Sequence, residues 1–140
     1  MEYLVYVSTA KKTMEDADLL ELLTQSRERN LQHNITGILL YSEGTFMQVL
    51  EGEKDDVYKI YASIERDLRH RNIIKLVTGL ADKRVFPNWS MAFSSVNAET
   101  LEMIEGYFNS AKNSFELDKK HATVIMLKTF IDANKLSISF

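Results

Sequence analysis

The chain contains no cysteine and a single proline in 140 residues. The lack of cysteine excludes thiol catalysis, a disulfide framework and any zinc site with a cysteine ligand. Its three histidines, His33, His70 and His121, do not show metal-ligand spacing, so we expect no bound metal. No apolar run approaches the roughly 18 residues of a membrane-spanning helix, and the N-terminus lacks the basic segment of a secretion signal. We therefore expect a cytoplasmic protein with no membrane partner.

The sequence also lacks a basic excess. With 17 Lys and Arg against 20 Asp and Glu, the formal charge is −3, which argues against direct nucleic-acid binding. No repeat, low-complexity run or linker divides the chain, and 45% of its residues are hydrophobic. That content and length predict one globular domain whose core is large enough to be stable without disulfides or a structural metal.

The first half of the chain alternates strands and helices. Tyr3–Ser8 is apolar on both alternations, as expected of a central strand covered on both faces. Thr13 is predicted to cap a helix over Met14–Arg29. Two further apolar runs, Ile35–Tyr41 and the one that starts at Thr45, are separated by Ser42-Glu43-Gly44-Thr45, which predicts a hairpin with Gly44 at positive φ.

The second half continues the alternation. Asp55 and Asp56 are predicted to open a second helix, and its apolar stripe has the spacing i, i+3, i+4, i+7, i+11. The stripe consists of Val57, Ile60, Tyr61, Ile64 and Leu68. A fourth strand is expected over Ile73–Ala81 and, after Pro87, a short one over Trp89–Phe93. This order, βαββαβ with one more strand, predicts an α+β fold of the ferredoxin-like type.

In that topology the first and third strands are adjacent and antiparallel at the centre of the sheet, so Tyr6 and Gln48 are expected to be neighbours facing one side. Gln48 lies in the apolar run Thr45–Leu50, where a buried amide needs partners for its donors and its carbonyl. Leaving them unmet costs about 1–3 kcal/mol, so either the fold or a bound molecule must supply them.

The tail is predicted to hold two helical segments. The first is marked by Leu101, Ile104 and Phe108 and the second by Val124, Leu127, Phe130 and Ile131. A break is expected near 113–115, and residues 136–140 alternate like a short strand.

Several motifs together resemble the BLUF family of blue-light sensors that bind FAD. The motifs are Asn34-Ile35-Thr36-Gly37-Ile38-Leu39, Phe46-Met47-Gln48-Val49-Leu50-Glu51-Gly52 and Asp67-Leu68-Arg69-His70, in order with Tyr6, Asn30, Trp89 and Met91. The resemblance covers about residues 3–95. A ferredoxin-like core alone hosts many functions, so the ordered set of motifs carries the identification.

The resemblance implies roles for these residues. Tyr6 would be the buried phenol beside the flavin and its electron donor, and Gln48 would hydrogen-bond both that phenol and the flavin. Asn30 would contact the pyrimidine edge of the ring. The remaining roles follow the same motifs: Asp67, Arg69 and His70 beside the cofactor, and Trp89 and Met91 on the strand that reports the change.

The family also implies how the chain functions. It would be a photoreceptor rather than an enzyme, bind FAD non-covalently, and signal by contact with a downstream protein. Homo-oligomerisation is expected. Residues 1–95 would form the flavin-binding core, and residues 96–140 a helical extension of the same domain that serves as the output surface.

One position departs from the family pattern. Some members carry a basic residue on the second helix four residues before the Asp, and Ser63 occupies that position here. Arg66 and Lys59 are candidates to compensate, and a weaker hold on the cofactor is one expectation.

Each residue also has an ordinary structural interpretation. Tyr6 could be a core phenol, Asn30 a helix C-terminal residue, Asp67 with Arg69 a solvated pair, and Trp89 with Met91 core side chains. Two other functions use the same fold. A small hydrolase would need a phosphate-binding loop, yet Ser8–Lys12 contains no glycine. An RNA-recognition module would need paired aromatics and usually a basic face.

Overall fold

The structure, a computed structural model, describes residues 1–86, 92–95 and 121–134, with backbone alone for 92–95 and 131–134. Within these ranges the elements are β1 (Glu2–Ala10), α1 (Asp16–Gln32), β2 (Thr36–Ser42), β3 (Thr45–Gly52), α2 (Lys54–Glu65), β4 (His70–Leu80), β5 (Ala92–Ser95) and α3 (Ala122–Asn134). None of these helices combines the length and apolarity that crossing a membrane requires.

The strands form one sheet in the order β4-β1-β3-β2-β5. β1 pairs antiparallel with both β3 and β4, and β3 pairs antiparallel with β2. β5 extends the sheet by pairing parallel with β2. The predicted ferredoxin-like α+β fold with an additional strand is confirmed, including the central position of β1 beside β3.

The sheet is covered on both sides, and successive residues of a strand contact different cores. The helix-pair face is the side covered by α1 and α2, where Leu4, Tyr6 and Leu50 pack with side chains of those helices. The α3 face is the opposite side, where Val5 and Val49 pack in a second cluster with side chains of α3. The two-sided apolar pattern of β1 therefore predicted its place correctly.

The β2–β3 hairpin has the predicted turn. Glu43 and Gly44 both have positive φ, 46° and 88°, which is the backbone of a two-residue turn that suits the twist of paired strands. Gly37 on β2 is required for a different reason, close approach. A Cβ at Gly37 would lie 1.8 Å from the Val49 carbonyl oxygen of β3, so no other residue fits without separating the strands.

The predicted start of the first helix was wrong. The N-cap is Glu15 rather than Thr13, and the Asp18 carboxylate accepts a hydrogen bond from the Glu15 N–H at 3.1 Å. This side-chain acceptor three residues into the helix satisfies a backbone donor that has no partner within the helix. At the other end α1 continues to Gln32, and Asn34 follows at φ 53°.

The second helix ends earlier than its apolar stripe predicted. α2 stops at Glu65, and the N–H groups of Arg66 and Asp67 bond the carbonyls of Ser63 and Ile64, which tightens the final turn. Leu68 therefore lies outside the helix with 78% of its surface exposed, so its assignment to the buried stripe was wrong.

The later elements agree with the predictions in part. β4 begins three residues before the expected Ile73, at His70. β5 is described over Ala92–Ser95 and overlaps the end of the predicted strand, whose residues 89–91 lie outside the described residues. In α3 the predicted apolar residues Val124, Leu127 and Phe130 are buried. The predicted helix at 101–108, the break at 113–115 and the strand at 136–140 lie outside the described residues.

Candidate functional site

Tyr6 and Gln48 form the centre of the site. They are register partners on β1 and β3, and both side chains are buried, with 3% and 2% of their surface exposed. The Tyr6 hydroxyl donates a hydrogen bond to Gln48 Oε1. The expectation that these residues face the same side of the sheet is confirmed, and the fold itself supplies one partner of the amide.

The surroundings of Tyr6 keep its phenol protonated. Burial raises the pKa of Tyr6 well above its ordinary value, although the positive charge of Arg29 lowers it in part. The Tyr61 and His70 rings lie against it, with centroids 5.7 and 6.4 Å away. This environment therefore favours the protonated phenol over the phenolate.

The Tyr6–Gln48 pair lines a pocket between the sheet, α1 and the turn after α2. The other residues at its wall are Leu22, Ser26, Arg29, Leu39, Phe46, Ile64, Asp67, Arg69 and His70. Five of the six cofactor residues suggested by the sequence thus meet in one place: Tyr6, Gln48, Asp67, Arg69 and His70. Ser26 and Arg29 were missed. Ser26 lies four residues before Asn30 and three before Arg29 on α1, and this spacing was the available signal, since residues three or four apart share a helix face.

Asp67 and Arg69 form one wall of the pocket in the turn between α2 and β4. The Asp67 carboxylate accepts hydrogen bonds from the Arg69 backbone N–H at 2.9 Å and from its guanidinium Nε and Nη2 at 3.0 and 2.6 Å. Burial raises the pKa of Asp67, but these hydrogen bonds and the Arg69 charge lower it more, so the net pKa lies below the ordinary value. The pair fixes the turn and is more than a solvated charge cluster.

His70, the first residue of β4, is held in a defined tautomer. Its Nε2 lies 2.6 Å from the Ile64 carbonyl oxygen, which can only accept, so Nε2 carries a hydrogen. Its Nδ1 then accepts from the Ser8 hydroxyl at 2.8 Å. With 9% of its surface exposed, His70 joins α2, β1 and β4 beneath the pocket.

Asn30 is buried in the last turn of α1 but is not among the residues that line the pocket. Its backbone oxygen accepts from the N–H groups of His33 and Ile35, and its Oδ1 lies 3.4 Å from Arg29 Nε. It supports the Arg29 side of the wall, and a contact between Asn30 and a cofactor stays a prediction.

Among the described residues, the cations at the pocket wall are Arg29 and Arg69. Neither Lys59 nor Arg66, the candidates to compensate for Ser63, is among the lining residues. Burial lowers the pKa of Arg29, while its proximity to Tyr6 and Asp67 opposes that effect. Trp89 and Met91, predicted to carry the signal, lie outside the described residues.

The donor set suits a flat heteroaromatic ring with one polar edge. Apolar side chains at the wall match the faces of such a ring, and the amide, hydroxyl, guanidinium and carboxylate groups match its edge, as in most cofactor pockets. A ferredoxin-like sheet with this pocket and its buried phenol–amide pair is typical of a small cofactor-binding domain.

Comparisons with known proteins agree with this class. The family model BLUF, described as sensors of blue-light using FAD, matches residues 1–92. The blue light- and temperature-regulated antirepressor BluF of Escherichia coli (strain K12) is 29% identical over 138 residues, which cover 98% of this chain and 34% of that protein. The chain belongs to the BLUF family.

Two solved structures are similar over nearly the whole chain. BlsA in its photo-activated state is 33% identical with a TM-score of 0.67, and the match covers 99% of this chain and 96% of BlsA. Klebsiella pneumoniae BlrP1 with FMN and cyclic diGMP is 27% identical with a TM-score of 0.74, covering 94% of this chain and 34% of BlrP1. The chain thus spans about a third of the antirepressor and of BlrP1.

Proposed function

We propose that this chain binds FAD non-covalently in the pocket and senses blue light through Tyr6 and Gln48. The observation that carries the proposal is the buried hydrogen bond from the Tyr6 hydroxyl to Gln48 Oε1 at the pocket wall. Membership of a family described as sensors of blue light supports it, and no enzymatic activity is assigned to these residues.

A bound flavin would supply a ring that becomes a strong one-electron oxidant when excited. Tyr6 is the donor suited to it, because an oxidised phenol is acidic and its O–H already points at Gln48 Oε1. Once the phenol has lost that proton it can no longer donate a hydrogen bond to Gln48 Oε1, so the hydrogen bonds of the amide must change. Rotation or a tautomer change of Gln48 then rewires the hydrogen bonds at the pocket, and a small reversible red shift of absorption is the expected sign.

The surrounding residues would hold and orient the cofactor. Asp67, Arg69 and His70 are fixed by their own hydrogen bonds, so they offer a preformed wall rather than mobile side chains. Asn30 is proposed to contact the pyrimidine edge of the flavin ring. Arg29 supplies a half-buried positive charge close to Tyr6, in the role that Ser63 cannot fill.

Output is proposed to pass to another protein. Residues 1–95 act as the flavin-binding core, and residues 96–140, together with Trp89 and Met91, as the output part. An exposed apolar side chain on α3, Ile125, with half of its surface accessible, is consistent with a protein contact there. We further propose a cytoplasmic homo-oligomer that acts on a downstream partner and contacts neither nucleic acid nor membrane.

The test is the visible spectrum of the purified chain reconstituted with FAD, before and after blue light. Wild type should show a flavin spectrum with a small red shift that decays in darkness. Gln48→Leu should bind flavin but lose the shift, because leucine offers neither donor nor acceptor. Gln32→Leu is the matched control, since Gln32 is exposed at the end of α1 and should leave the shift intact.

Each alternative outcome has a distinct meaning. A shift retained in Gln48→Leu would remove Gln48 from the switch, and a colourless protein after reconstitution with FAD would overturn the flavin site. Chromatography of the flavin released from the chain as purified, before any FAD is added, separates FAD from FMN, which the BlrP1 structure contains.

A further inference from the structure

Glu51 is a buried carboxylate that the pocket does not use. It lies on β3 with 2% of its surface exposed, three residues after Gln48 and on the opposite side of the strand. A carboxylate in such a place is tolerated only when hydrogen-bond donors satisfy it. The identity of those donors is therefore informative.

Two of the donors to the Glu51 carboxylate come from the segment that follows β4, and a third comes from β2. The N–H groups of Val85 and Phe86 bond the Glu51 carboxylate at 2.8 and 2.5 Å, and the Thr36 hydroxyl of β2 donates at 3.1 Å. Arg84 reinforces the arrangement by donating to the Thr36 hydroxyl at 2.8 Å and to the Glu51 carbonyl at 2.9 Å. We call Thr36, Glu51 and residues 84–86 the Glu51 anchor.

The Glu51 anchor connects to α3. Phe86 has 2% of its surface exposed and packs in the apolar cluster of the α3 face, together with Val49, Leu127 and Phe130. Its backbone N–H is held by Glu51, while its ring is part of the cluster that contains α3 side chains. The strand that carries Gln48 is thus joined to the α3 core by hydrogen bonds and close packing.

We propose that Glu51 is a positioning residue for output, which couples movement of β3 at Gln48 to α3 through Phe86. This rests on the proposed function and adds a route that does not pass through β5. A displaced β3 must carry residues 84–86 with it, because the carboxylate and the two N–H groups would otherwise lose their partners in a buried place. Phe86 then transmits the displacement into a close-packed cluster.

The test uses the full chain loaded with FAD and compares Glu51→Gln with Glu28→Gln, the same change at an exposed site on α1. A glutamine at 51 points an NH₂ group at backbone N–H donors and weakens the anchor without removing bulk. Hydrogen exchange of α3 amides is measured in darkness and under blue light. Glu51→Gln should keep the red shift yet lose at least about half of the light-induced change in α3 exchange.

A second comparison needs no photocycle. In darkness, Gln48→Leu should change the hydrogen-exchange rate of α3 amides by about threefold when it is combined with Glu28→Gln. Combined with Glu51→Gln, it should change that rate by little, because the effects of coupled sites are not additive. Equal changes in both backgrounds overturn the proposal, as does an unaltered light-induced change. Loss of the red shift in wild type would instead count against the proposed function, while this comparison still decides the role of Glu51.

Should Glu51→Gln fail to fold, Thr36→Val removes one donor to the carboxylate and one acceptor of Arg84, and leaves both backbone N–H bonds to Glu51 in place. It should give an intermediate loss of coupling between Gln48 and α3. Unchanged coupling in Thr36→Val, combined with faster dark exchange at Val85 and Phe86, would show a local structural role and contradict the proposal.

Discussion

The two faces of the sheet are built from the same strands and differ in what they bury. The helix-pair face buries Tyr6 and Gln48 beside a pocket whose wall includes charged and hydroxyl groups. The α3 face buries mainly apolar side chains, and the polar group that it buries at Glu51 holds backbone N–H groups. Because side chains alternate along a strand, β3 presents Gln48 to the pocket on one face and uses Glu51 to bind a backbone segment on the other.

The largest effect is expected from a substitution that forces β2 and β3 apart and so disturbs both faces of the sheet. Gly37→Ala places a Cβ against the Val49 carbonyl oxygen, a backbone atom that cannot move aside. We expect a loss of about 3 kcal/mol in the free energy of unfolding, at the upper end of overpacking effects. Urea denaturation measures it, with Gly44→Ala as control, because a Cβ there meets nothing within 4 Å and only its positive φ is strained. Equal losses would contradict the close-approach argument.

A core truncation on the α3 face should separate stability from photochemistry. Leu127→Ala leaves a cavity at a fully buried position, and we expect a loss of about 3 kcal/mol in the free energy of unfolding. Since Leu127 lies across the sheet from the pocket, the light-induced red shift should persist in the folded fraction. Denaturation and difference spectra on the same sample check both statements. Abolition of the shift at full folding would show that the faces are not separable.

A smaller effect is expected beneath the pocket. Ser8→Ala removes the hydroxyl that donates to His70 Nδ1, and leaving this buried nitrogen without that bond should cost about 1–2 kcal/mol of unfolding free energy. The Nε2–H bond to Ile64 should remain, and ¹⁵N NMR of the His70 ring reports which nitrogen is protonated. A change of tautomer in the variant would refute the hydrogen-bond assignment.

The smallest effect concerns Asp67 and depends on pH. Because the pKa of Asp67 is lowered in the folded state, its stabilisation is present above its ordinary value of 3.8 and is lost as pH falls through the folded value. Asp67→Asn should therefore be less stable than wild type at neutral pH by under about 1 kcal/mol, since the pair is partly exposed. Urea midpoints should converge as pH is lowered below 3.8. If the difference in urea midpoint between wild type and Asp67→Asn increased in acid, the pKa of Asp67 would not be lowered in the folded state.

The sequence predicted the parts that depend on pattern. A run that is apolar on both faces placed β1 at the centre of the sheet, and the order of strands put Tyr6 beside Gln48. It missed what depends on the packing of whole elements. Arg29 reaches the pocket because of how α1 packs on the sheet. The N-cap of α1 is Glu15, whose N–H bonds the Asp18 carboxylate, rather than Thr13.

The Glu51 anchor shows the other limit of sequence reasoning. Two of its donors are backbone N–H groups of Val85 and Phe86, and every residue except proline carries such a donor. The side-chain types of that segment therefore gave no sign that it would bind a carboxylate.

The register between β1 and β3 has a consequence for biosynthesis and quality control. Tyr6 meets Gln48 because the two strands pair residue for residue, and a slip of one position would turn one of these side chains to the far side. A mispaired molecule would still be compact but would have no place for the chromophore. Yellow colour in a cell or on a column would then report the fraction of chains that have paired correctly, before any light is applied.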